Sequence, residues 1–63
     1  MNTDQLRAEI LSLEKRVLDR ITEIGQHPAA RITGIKQPYF ADLKSGKRRM
    51  TAKQLFKIAD LLL

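Results

Sequence analysis

Cysteine is absent from the 63 residues, which excludes disulfides, thiolate-held metals and a thiol nucleophile. Histidine occurs once, as His27 beside Pro28, and a lone imidazole does not make a metal site. There is no Gly-rich phosphate loop and no acidic pair set for acid–base work, so neither an enzyme nor a bound metal or cofactor is expected. No apolar run is long enough to span a bilayer and no signal-peptide pattern opens the chain, so a soluble, cytoplasmic protein is expected. Bulk is lacking too. A domain this small buries only about 60% of the surface its unfolded chain exposes. Its stability must come from helix packing, with self-association as a natural supplement.

Charge is plentiful but unevenly spread. The net +5 divides into −1 over residues 1–30 and +6 over residues 31–63. A near-neutral half followed by a basic half fits a packing helix followed by a surface that faces a polyanion.

The helices can be placed from period and punctuation. Asn2, Thr3 and Asp4 are N-cap candidates for a first helix over about residues 4–24, which Gly25 ends. Leu6, Ile10, Leu13, Val17, Ile21 and Ile24 step by three or four along one face of it. Leu11 and Leu18 lie well around from that stripe, so a second contact is expected, with the last helix or with another subunit. His27-Pro28 opens a short helix over about 27–33, with Ala29, Ala30 and Ile32 as its inner surface and Gly34 stopping it at a left-handed turn. Gln37-Pro38 opens another over about 37–45, anchored by Phe40 and Leu43 three apart. Thr51 and Gln54 have capping-box spacing ahead of a final helix over about 52–62, which carries Leu55, Phe56, Ile58, Ala59, Leu62 and Leu63, and Met50 is placed as a staple to Leu55. The fold class expected is all-α: a single domain of four helices. The terminal leucines pack on the first helix, meet a partner chain, or continue into a longer protein.

Residues 26–46 carry a recognisable pattern. A Gln begins the unit (Gln26), a small residue follows four positions on (Ala30), and a turn Gly has an apolar neighbour (Gly34, Ile35). A second Gln opens the next helix (Gln37), two apolar residues anchor it (Phe40, Leu43), and Gly46 ends it. This stretch resembles the helix-turn-helix of the phage repressor (Cro/CI, or XRE) superfamily. A finer likeness is to the lambda-type CII activators, whose first helix runs without a gap into the same unit; Leu18 to Ile21, Gly25, Ala30, Gly34 and Ile35 keep that register. Pro38 and Tyr39 depart from the small or polar residues usual there, so base preference does not carry over. A further C-terminal helix used by the CII-like proteins in assembly has no counterpart here.

The resemblance implies a sequence-specific regulator of transcription, of phage or bacterial type, with helix 37–45 in the DNA major groove. Gln37 is the expected base reader, since its amide can both donate to and accept from an adenine edge. Tyr39 offers a hydroxyl and a ring to a thymine methyl, and Asp42 can accept from a cytosine amine or pair with Arg49 or a lysine. Lys36, Lys44, Lys47, Arg48 and Arg49 are the expected phosphate contacts, with Gln26 holding the backbone from the start of its helix. A homodimer or larger homo-oligomer is expected on two half-sites, through Leu6, Ile10, Leu11, Leu18, Leu62 and Leu63. An activator would also meet RNA polymerase, for which the sequence identifies no surface. The chief rival is a protein–protein adaptor that uses the two-faced first helix and the terminal leucines. A membrane-surface helix is disfavoured, because the basic residues cluster around turns and not along one long face.

Overall fold

A computed structural model describes residues 2–63 and contains four helices, α1 (Thr3–Ile24), α2 (Gln26–Thr33), α3 (Gln37–Ser45) and α4 (Ala52–Leu62), with no strands among the described residues. Asn2 caps α1 by accepting the Asp4 and Gln5 amides at 3.0 and 3.2 Å, and Asp4 sits where the helix dipole favours an acid. At the other end the Gly25 amide donates to Ile21 O at 2.8 Å. Gly25 is also the N-cap of α2, so the two helices meet at one residue without a loop. Since α2 starts at Gln26, one residue earlier than expected, Pro28 sits third in the helix, still in the first turn where its missing N–H costs nothing.

The core lies on the later turns of α1. Val17 and Ile21 pack with Ala29 of α2, Phe40 and Leu43 of α3, and Leu55, Ile58, Ala59 and Leu62 of α4. Phe40, Leu55, Ile58 and Val17 are the largest fully buried side chains, each stabilising by roughly 1.5–3 kcal/mol on burial. The backbone of α4 runs against α1 and α2 and that of α3 against α2 and α1, which leaves the far side of α3 open.

The apolar residues expected at an oligomer interface divide. Ile10 and Leu18 pack against the core, half-buried, and Leu62 lies within it. Leu6, Leu11 and Leu63 stay exposed, as does Phe56, which falls off the inward stripe of Leu55, Ile58, Ala59 and Leu62. Ile32, expected inside, is 52% exposed. The reason is spacing: α3 lies close to α2, so α2 turns the small Ala29 and Thr33 inward and swings its bulky residue out. The capping box at α4 is half made. Thr51 Oγ1 accepts the Gln54 amide at 3.3 Å, but the Gln54 side chain does not reach back, and its Oε1 is buried without a partner. Met50 is half-buried against the core, as a staple would require.

Candidate nucleic-acid interface

The joint between α2 and α3 is Gly34-Ile35-Lys36. Gly34 takes the left-handed backbone (φ 73°, ψ 9°), and its amide donates to Ala30 O at 2.9 Å. Thr33, the one buried polar residue among the described residues, locks this reversal. Its hydroxyl donates to Ala29 O at 2.8 Å and accepts the Ile35 amide at 3.2 Å. Ile35 then packs on the core from inside the turn.

With Phe40 and Leu43 pointing inward, the remaining α3 side chains divide by angle at about 100° per residue. Gln37 and Lys44 share one flank, Tyr39 lies on the other, and Pro38 and Ser45 occupy the outermost line, with exposed Ala41 and half-buried Asp42 about 50° to either side of it. The Gln37 flank borders a groove of about 330 Å³ that is also lined by Ile21, Thr22, Gly25, Gln26 and His27. Gln26, Gln37 and Lys44, separated in sequence, are thus brought to one place. The groove collects the N-terminal ends of α2 and α3, neither of which has a side-chain cap, whereas α1 and α4 are capped by Asn2 and Thr51. Uncapped amides and the positive end of each helix dipole favour an anion there.

The other flank is built differently. Tyr39 is half-buried and meets Phe40 edge-on, with centroids 5.7 Å apart and rings at 90°. Arg48 from the following loop stacks over its ring at 5.2 Å from the centroid. Burial pushes the Tyr39 phenol above its ordinary value of 10.0, and the Arg48 charge partly offsets this. The Lys47 amide donates to Asp42 O at 3.0 Å, which folds the basic loop back on the end of α3.

The basic run itself is split. Arg49 turns towards α1 and grips Glu14 with two hydrogen bonds, at 3.0 and 3.4 Å, and this contact raises the Arg49 pKa. The pairing expected of Asp42 with Arg49 or a lysine is therefore not what forms. Arg49 is held by Glu14, and among the described residues Asp42 lies within ion-pair distance of no basic group. Lys36, Lys44, Lys47 and Arg48 likewise have no carboxylate within that distance among the described residues, so their charge stays open to solvent.

Three positions escaped the sequence. Thr33 was invisible as the turn lock, although a Thr next to a helix-ending Gly is a usable signal. Ala41, exposed on the outer side of α3, carries no chemistry to notice. Arg20 donates from Nε to Leu62 O at 3.2 Å, satisfying a last-turn carbonyl of α4, and also bonds Glu23 at 2.9 Å. Among the described residues no helix is long and apolar enough to cross a membrane, and no group of three His, Asp or Glu is placed to hold a metal ion. Compared with models of protein families, with curated proteins and with solved structures, the chain finds no match in any of the three.

Proposed function

We propose that the chain is a sequence-specific double-stranded DNA-binding regulator of the helix-turn-helix type, acting as a homodimer with α3 in the major groove. The observation that carries this reading is the meeting of Gln26, Gln37 and Lys44 around one groove at two uncapped helix ends. A phosphate seated there would fix register while the Gln37 amide reached a base edge. Beside it, Ala41 offers a small apolar surface to a thymine methyl and lets the backbone approach the groove floor. Lys36, Lys47 and Arg48 flank α3 and supply further phosphate contacts. Arg49, spent on Glu14, holds the loop and is the least available of the run. The resemblance to the Cro/CI superfamily points the same way.

The test selects duplexes from a random pool and follows α3 by nuclear magnetic resonance during titration. Gln37, Tyr39 and Ala41 should shift with the selected duplex, and Gln37→Ala should lose sequence preference while retaining salt-dependent binding. Unmoved α3 amides would end the proposal.

The exposure of Leu6 and Leu11 on α1 favours a second reading, a protein–protein adaptor. An adaptor would bind its partner equally well with Lys47 and Arg48 both changed to Ala.

A further inference from the structure

Every residue from Asn2 to Glu9 is exposed, yet this stretch is helical and capped from Thr3 onward. The first turns of α1 therefore stand out from the body as an arm, in keeping with a long axis of 37 Å against 23 and 19 Å for the others. Leu6 is 42% and Leu11 50% exposed on this arm. With Thr3, Arg7, Ile10 and Arg49 they line a groove of about 510 Å³ in the corner between the arm and the basic loop. A free helix end is marginal in water, and apolar residues on it gain only by meeting another surface.

We propose that the occupant of this groove is the same arm of a second copy, laid antiparallel. Charge selects both the partner and its direction. Asp4 and Lys15 lie on one flank of α1, within about 20° of each other around the helix and about 16 Å apart along it. In an antiparallel pair about a two-fold axis, like flanks face each other. Asp4 of each copy then meets Lys15 of the other. A parallel pair would bring unlike flanks together, and the Asp4–Lys15 pairing would be lost. The apolar residues Leu6, Ile10 and Leu11 fall between these charges in both copies. The arm is therefore complementary to itself, and only when reversed.

An overlap of about three turns is well short of the roughly 800 Å² per partner of a standard interface. Pairing is accordingly weak in free solution and gains when another contact holds two copies close. The inference deepens the two-copy part of the proposed function and rests on it, but does not depend on the DNA reading.

Sedimentation equilibrium on the full chain without DNA tests it. The mass should rise with concentration towards two chains. Leu6→Glu with Leu11→Glu should lower the association constant at least about tenfold while leaving the helical circular dichroism intact, since both residues are exposed. Direction is read by cross-linking, for which the cysteine-free chain is suited. In an oxidised equal mixture of Asp4→Cys and Lys15→Cys chains, the mixed disulfide should exceed both like-with-like products. A mass of one chain at the highest soluble concentration overturns the proposal. So does association undiminished in the double variant, which would move the contact to Phe56 and Leu63, or a predominance of Asp4→Cys homodimers. None of these measurements contains DNA. A chain that pairs as described but ignores every duplex would sink the DNA reading alone.

Discussion

Thr33→Val asks whether the α2–α3 turn is held by one hydroxyl. Thr33 is buried, and its Oγ1 bridges Ala29 O and the Ile35 amide at 2.8 and 3.2 Å. Valine keeps the shape and removes both bonds. Ala29 O keeps its helical partner, because residue 33 still donates its own amide four residues back. The Ile35 amide does not recover, as it is half-buried and has no second acceptor among the described residues. An orphaned donor of this kind costs about 1–3 kcal/mol, against at most about 0.8 kcal/mol regained by burying a methyl. The net loss is therefore about 0.2–2 kcal/mol, at its upper end a large share of the roughly 3–9 kcal/mol expected of a domain this size. At about 4–8 °C per kcal/mol, Tm should fall by roughly 1–16 °C. Thr33→Ser keeps the hydroxyl and should lose clearly less. Thermal and urea unfolding by circular dichroism measure both. A Thr33→Val chain as stable as the parent, or a serine variant equally damaged, would refute the argument that the hydroxyl sets the turn.

Other outcomes follow from the same structure. Gly34→Ala should cost about 1–2 kcal/mol in urea unfolding from left-handed strain alone, because nothing lies within 4 Å of the added Cβ, and Gly34→Asn should cost less. Tyr39 is the only tyrosine and there is no tryptophan, so alkaline absorbance reports it alone. Its midpoint should lie above 10.0 and rise further in Arg48→Ala, which removes the influence that lowers it. With the folded pKa raised, the phenol's contribution to stability is complete below the unfolded value of about 10 and is lost as pH climbs through the folded one. If Lys36, Lys44, Lys47 and Arg48 all meet phosphates, log affinity against log salt should slope near about −3.6 per subunit, and Lys47→Ala should make it shallower by about 0.9. Under the same assay Arg49→Ala should change the slope less, since its charge is already shared with Glu14.

What could be read from the sequence was what is local. The three-and-four spacing from Leu13 to Ile24 gave the long helix its inner face, and Gly25, Gly34 and Thr51 marked where helices stop or start. Phe40 and Leu43 were legible as anchors because two apolar residues on so short a helix have one place to go. The misses share a cause. Ile32 turns out because α3 comes close to α2, which no window of α2 records. Arg49 is claimed by Glu14, 35 residues away, and Arg20 by Leu62, 42 away. Such pairs depend on how helices cross, not on period. The candidate interface divides the same way. Its side chains were visible one by one, but the groove that joins Gln26 to Gln37 and Lys44 exists only once α2 and α3 are folded against α1.

The single residue between α1 and α2 has a consequence for what this chain can tolerate. Gly25 holds φ 96°, ψ 155°, a region that essentially only glycine enters. Space is not the obstacle, since an added Cβ would touch Pro28 Cδ at an ordinary 3.5 Å. An elbow with no slack transmits rotation rather than absorbing it. One residue gained or lost there would swing the reading helix out of line with everything upstream, so length at this point is as constrained as chemistry is elsewhere.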